Sequence, residues 1–410
     1  MTGNRSSYAA RMSAVAVAAV VALAACSHAS ATTSSTSAQP IAIGWIGPLT
    51  GPATHVQYSL DGVRAAVKAI NSAGGIKGRP LNVVSCDDQF DPNKAADCGR
   101  QMVTAKVVAV VAAESGQGDR FTPVLDAAHI PSVGAIAASA SENKSELSYP
   151  IGSGTAGEVL GQAILAGKLG CTKVAVGYAD VVAAKYVAQG WFEVGLKLVN
   201  LGVHKEVPIP PTATDLNTYA EAMAAGGTDC VTFVIGAAGA QRLAQAVHKN
   251  HPGIKVLMSA ANIGPQAIQT LGADADGMYL VGGFTLPGSY SQNSTIAQFT
   301  KEVDAYGSKE DRSEVMVEAW SVTHILATIL ATLSTVDSAS LVTALKATGQ
   351  QDLGGAVVPF NWASQVTLVP GARTFGSSVF YSQIHGGVVQ PLLDGKPVDL
   401  SHPGSIAALT

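Results

Sequence analysis

The chain has 410 residues, of which 47% are hydrophobic and 13% charged, and its formal charge is −4 at neutral pH. Such a length supplies apolar cores for two or three domains. The mildly acidic balance offers no general attraction to phosphate backbones, which argues against nucleic-acid binding.

In chain order, Arg5 and Arg11 precede an apolar or small run from Met12 to Ala25 that ends in Leu23-Ala24-Ala25-Cys26. A basic start, a short apolar stretch and small residues before a cut are the parts of an export signal. The run falls short of the about 20 residues a membrane span needs. The tetrad resembles the lipobox of bacterial lipoproteins, which implies cleavage before Cys26 and a lipid on its thiol. Two acyl chains anchor stably where one is marginal, so the resemblance implies attachment to the outer face of the cytoplasmic membrane. Residues 1–25 are thus predicted to be a lipoprotein signal peptide. Residues 26–40, rich in Ser, Thr and Ala, are predicted to be a flexible tether. Cleavage removes two Arg and no acid, which moves the charge from −4 to −6. No later segment is read as a membrane span; the nearest, Ile325 to Leu333, is short and carries Thr328 and Thr332.

From Ile41 one pattern repeats: a short β-rich apolar run, a turn, then a segment with helical spacing. The predicted strands are 41–47, 81–86, 107–113 and 131–136, and the predicted helices lie near 58–73, 92–105 and 118–128. Leu60, Val63, Val67 and Ile70 recur at helical intervals, and Gly74-Gly75 stops that helix. Asp91 is positioned to cap the next one, with Pro92 in a first turn where its missing N–H costs nothing. Trp45, inside the first strand, reads as core. The pattern restarts with strands near 173–178, 204–208, 230–235, 255–259 and 277–281. Helical segments near 292–306, 313–333 and 338–348 then precede a β-like region from Val357 to Val389. Alternating β and α with short turns predicts an α/β fold of two Rossmann-like lobes, each a parallel sheet covered on both faces. The N-terminal lobe is placed at 41–152, completed by part of 313–410, and the C-terminal lobe at 153–290, completed by part of 291–410.

With Cys26 set aside, Cys86, Cys98, Cys171 and Cys230 form an even set in an oxidising compartment, and three pairings are possible. Cys86 ends a strand and Cys98 lies in the following helix, so a local bridge fits. Cys171 and Cys230 each stand just before a strand. In the flavodoxin-like order 2-1-3-4-5 those strands are neighbours. The reading is therefore 86–98 and 171–230.

Three stretches share a family look: Ile43-Gly44-Trp45-Ile46-Gly47-Pro48-Leu49-Thr50-Gly51-Pro52, Gly74-Gly75-Ile76-Lys77-Gly78-Arg79 and Asp87-Asp88-Gln89-Phe90-Asp91-Pro92. With Asp274 to Met278 and the segment Gly354 to Trp362, they resemble the type I periplasmic binding proteins of the leucine/isoleucine/valine-binding group. The resemblance spans Ile41 to about Leu393. It implies a Venus-flytrap receptor with a three-crossover hinge, acting as a monomer that hands a small-molecule ligand to ABC permease subunits, with no cofactor.

In amino-acid-binding members a serine and backbone amides after the third strand hold the ligand carboxylate, and the matching positions here are Ser115 and Gly116. Helix N-terminal amides nearby would also favour an anion. The family's ammonium seat falls on Ala138 and Ala261, where Ser139 and Asn262 are adjacent but bring no negative charge. A buried ammonium without a carboxylate partner would be costly. Second-lobe tyrosines are replaced by Ala183-Ala184 and Gly236-Ala237-Ala238. The expected ligand is therefore a small solute other than a standard zwitterionic amino acid, such as an apolar or aromatic carboxylate. Glu114, Asp180 or another acid could still reach the site, which keeps branched-chain amino acids as the alternative. His55 and Gln57 after the first strand, and Tyr178 and Asp180 after the first strand of the second lobe, complete the expected ligand-binding set.

Gly152-Ser153-Gly154-Thr155-Ala156-Gly157 spells a dinucleotide fingerprint, but the residues before it are mostly polar, so a hinge is the better reading. His248 and His251 lack a third ligand nearby and read as a solvated helix end, so no metal site is expected. No nucleophile elbow, P-loop or H-E-x-x-H motif occurs. A binding protein is expected rather than an enzyme, with a ligand-sensing receptor of the same fold as the competing class.

Overall fold

The computed structural model describes residues 39–51, 55–285 and 293–402. The signal peptide, most of the tether and Cys26 lie outside the described residues, as do Pro52 to Thr54 of the turn after the first strand.

The first half alternates strictly: β1 (Ile41–Gly47), α1 (Gln57–Ser72), β2 (Leu81–Asp87), α2 (Pro92–Thr104), β3 (Val110–Val111), α3 (Gly118–Ala127), β4 (Ser132–Val133), α4 (Ala140–Lys144) and β5 (Ser148–Tyr149). The five strands form one parallel sheet in the order β2-β1-β3-β4-β5. Ile41, Ile43, Trp45 and Ile46 are all buried, as a strand covered on both faces requires. Trp45 is core, its Nε1 donating to Ser59 Oγ at 3.2 Å. Asp91 caps α2 through the amides of Asn93 and Lys94.

The alternation resumes with α5 (Gly154–Lys168), β6 (Val174–Ala179), α6 (Val182–Val187), a π-helical turn at Ala188–Phe192, α7 (Glu193–Leu198), β7 (Val203–Ile209), α8 (Asn217–Ala224), β8 (Cys230–Val234), α9 (Ala237–Asn250), β9 (Lys255–Ser259), α10 (Pro265–Leu271) and β10 (Tyr279–Gly282). Three helices follow, α11 (Ser294–Tyr306), α12 (Glu314–Thr332) and α13 (Ser338–Leu345), then β11 (Ser378–His385), β12 (Val388–Pro391) and β13 (Val398–Asp399). The second sheet runs β7-β6-β8-β9-β10-β11-β12, parallel through β10, with β11 and β12 antiparallel and β13 pairing β11. Both sheets thus carry the 2-1-3-4-5 order expected from the sequence.

Among the described residues the chain passes between the sheets three times. The first passage, at Pro150–Gly154, holds the G-x-G-x-x-G stretch; Gly152 and Gly154 take positive φ there, and Gly152 O accepts from Phe375 N at 2.9 Å. The second runs through Gly283–Thr285, which bonds to the third at Ala356 and Val358. Between these two passages, α11 to α13 join the core of the first sheet, where α12 packs along α1. By length and composition α12 could cross a membrane, so the expectation that no later segment could do so needs correcting. Its apolar residues, Met316, Val317, Trp320 and Leu330 among them, are instead the interior of that core.

Two disulfides, Cys86–Cys98 and Cys171–Cys230, form as expected. In the second, Cys230 lies opposite Val174 on adjoining β6 and β8, which brings Cys171 within reach. Other expectations shift. The runs 107–113 and 131–136 are strand only at Val110–Val111 and Ser132–Val133; the chain leaves them at Ala112 and Gly134, both with positive φ, and turns into the loops that reach the site. Strand β5 falls in a stretch read as a polar crossover; Ser148 and Tyr149 are buried there by pairing with β4.

Candidate functional site

A cleft of about 560 Å³ opens where the carboxyl ends of both sheets meet. The loops after β1 (Pro48), β2 (Phe90), β3 (Glu114, Ser115, Gly116) and β4 (Ala138) form one wall. Those after β6 (Ala179, Val181), β8 (Ile235 to Gly239) and β9 (Ala261, Asn262) form the other. This is where open α/β sheets place ligands. Most of the lining is apolar, with Val187, Ile209, Leu216, Phe233, Phe284 and Val357 contributing side chains.

Of the residues singled out from sequence, His55, Ser115, Gly116, Ala138, Ala261 and Asn262 line this cleft. The other four are held elsewhere. Gln57 turns along α1 to donate to Asp61 at 2.7 Å. Ser139 is buried as the N-cap of α4, in a reciprocal capping box with Glu142. Tyr178 is buried and its hydroxyl reaches Glu206 Oε2 at 3.4 Å, while Asp180 is exposed outside the lining. His251 pairs with Glu221 at the surface, 2.9 Å apart, as a solvated helix end does.

Ser115 is not a free anion seat. Its hydroxyl donates to the carboxylate of Asp88, which is fully buried, and accepts from Gln117 N at 3.0 Å. Ala183, Ala184 and the Gly236–Ala238 turn do line the cleft, and their small side chains leave it wide.

Of the acids in the site, the sequence reading named only Glu114 as able to reach it. Glu114, Glu158, Glu314 and Glu318 all line the cleft, and they meet beside the passages between the sheets. Glu114 follows β3 and accepts from Tyr58 Oη at 2.9 Å. Glu158 stands on α5, just past the first passage, and accepts from Ser259 Oγ at the end of β9. Glu314, in the first turn of α12, is 1% exposed; its Oε1 takes the amides of Gly283 and Phe284 from the second passage. Glu318 follows one helical turn later on the same face.

Loss of water raises the carboxyl of Glu114 to about 8 and that of Glu158 to about 7, in each case against the hydroxyl that bonds it. Burial lifts Glu314 well above the ordinary range, helped by the charges of Glu158 and Glu318. Burial does the same to Glu318, with Glu158 and Glu114 adding to it. Arg242 also lines the cleft, but its guanidinium is engaged with the carbonyls of Ala238 and Thr214. The sequence offered one signal for these acids: a Glu inside the small and apolar α5, and two a turn apart inside the apolar α12.

Two lobes of one architecture around a hinge cleft define a solute-binding receptor fold. The family model described as Periplasmic binding protein matches residues 40–365, and the chain belongs to that family. Its members bind substrates rather than transform them, so the protein is not an enzyme. The Leu/Ile/Val-binding protein of Escherichia coli K12 is 33% identical over 75 residues, 18% of this chain and 20% of that protein. The alignment thus spans about a fifth of that relative. A solved substrate-binding periplasmic protein from Ralstonia solanacearum superposes with a TM-score of 0.75 at 19% identity, covering 86% of this chain and 99% of its own. A solute-binding protein from R. palustris, solved in complex with benzoate, gives 0.71 at 16% identity, with 88% and 98% covered. These likenesses carry the fold across and leave the ligand to the cleft's own chemistry.

Proposed function

We propose that the protein is an extracytoplasmic receptor, lipid-anchored through Cys26, that closes on one small solute and delivers it to an ABC importer. The observation that carries this reading is the cleft itself, which is formed by loops of both sheets and bounded by the three passages. A ligand touching both walls favours the closed arrangement by the free energy of the contacts made only there.

The solute has an apolar body and is not a standard zwitterionic amino acid. The family's carboxylate position is compromised, since Ser115 already donates to Asp88 and Glu114 stands next to it. An α-carboxylate seated there would face two acids at once. Isothermal titration with leucine, isoleucine and valine tests this part: no sub-micromolar binding is expected. Tight binding of any of the three would restore the branched-chain reading.

A further inference from the structure

We propose that the acidic end of the cleft is the seat for a cationic head group, so that the solute is an organic amine or amidine on an apolar body. The inference rests on the receptor reading above and deepens it.

Four carboxylates from three separate elements meet at one end of a cavity whose remaining lining is largely apolar. Clustering of like charges out of water is unfavourable, and proteins keep such groups mainly where they act. Glu314 supplies the second observation. It is 1% exposed and lines the cleft, yet only one of its oxygens is used, and among the described residues Oε2 has no hydrogen-bond partner. Buried polar atoms are nearly always paired, and an unpaired one calls for an explanation. Gly282 beside it has no room for a side chain, because a Cβ there would collide with Glu314 Oε2 and lie 2.7 Å from Ala260 Cβ. The backbone thus approaches the carboxylate closely without satisfying it. Glu114 Oε2 likewise has no partner among the described residues.

An ammonium or amidinium entering here brings two or more donors and a positive charge to acceptors that lack both. The hydroxyl groups present do not fill that need, since Ser259 and Tyr58 each donate to a single acid. Because Glu158 belongs to α5 on one side of the hinge and Glu314 and Glu318 to α12 on the other, one cation would bridge the two lobes and draw the acids back to their charged form, releasing protons. A carboxylate head would keep those acids protonated and add a further buried negative charge among them, and a purely apolar solute would leave Glu314 Oε2 unpaired.

Calorimetric titration of the mature chain with phenethylamine, 3-phenylpropionate and phenylethanol tests the assignment, because the three share one apolar body and differ in the head. Phenethylamine is expected to bind most tightly, and Glu314→Gln and Glu158→Gln each to weaken it about tenfold or more, the loss of a charge-assisted hydrogen bond. Glu314→Gln keeps an oxygen for the Gly283 and Phe284 amides; circular dichroism and melting establish that each variant folds. If Glu314→Gln does not fold, Glu158→Gln alone decides. Preferential binding of 3-phenylpropionate or phenylethanol, or amine binding that both variants leave intact, overturns the cation seat while the receptor reading stands. If none of the three binds, mass spectrometry of solute released from gently purified protein decides. A retained organic cation supports the seat; a retained anion or neutral solute overturns it alone, and no retained solute overturns both.

Discussion

Glu158→Gln should change how the melting temperature depends on pH. The unfolded chain releases the Glu158 proton near 4.5, whereas the folded protein holds it to about 7 because the cleft wall keeps water away. Below 4.5 both states carry the proton and stability is unaffected. Between 4.5 and about 7 only the folded state binds it, so raising the pH costs stability at about 1.4 kcal/mol per pH unit. Above about 7 the loss is complete. Glu158 is half-buried rather than fully enclosed, and allowance for solvent screening brings the whole loss to about 2 kcal/mol. For a chain this long, that is a shift of roughly 2–4 °C. Glutamine does not titrate, and it also removes a repelling charge from Glu314 and Glu318, which acts in the same direction. Melting of solute-free protein at pH 5, 6, 7 and 8 should therefore show the variant gaining on the wild type as the pH rises. Parallel curves across that range would refute the argument that Glu158 is desolvated in the empty cleft.

Removing the Cys171–Cys230 bridge, which closes a loop of 59 residues, should cost about 4 kcal/mol, against about 3 for Cys86–Cys98 with its separation of 12; denaturant titration of the paired Ser variants checks the order. Gly282→Ala should weaken solute binding more than tenfold while leaving the secondary structure intact, because its methyl displaces the Glu314 carboxylate; unchanged affinity by calorimetry would count against the Glu314 contact. Cys26→Ala should release the protein from membranes into the medium with affinity unaltered, as read by fractionation and titration. A fall in affinity would mean that tether and receptor are not separable.

Much of the fold was legible because its signals are local. Val- and Ile-rich runs in β1, β6 and β8, the Asp91-Pro92 start of α2 and the glycine stops define elements one at a time. The 2-1-3-4-5 order then places Cys171 beside Cys230 from the sequence alone. The strand-end loops were legible too, which is why Ser115, Gly116, Ala138, Ala261 and Asn262 fall in the cleft. What sequence position could not give was side-chain commitment. Ser139 follows β4 where a ligand hydroxyl would stand, yet its own helix claims it as a cap, and Tyr178 turns to Glu206.

The acids were hidden for a different reason. Glu158 and Glu314 are 156 positions apart in the chain and meet only because the first two passages return their helices to one hinge. The available signal is their isolation within apolar helices, which marks them as unusual without showing that they meet.

The central claim is that a solute binds between the two lobes. Titration of the best-binding amine into wild type and into Ala261→Trp, whose indole would occupy the cleft beside Asn262, tests it most directly. One site per chain is expected in the wild type and no detectable binding in the variant, with both proteins equally folded. Undiminished binding by Ala261→Trp would place the solute outside the cleft and contradict it.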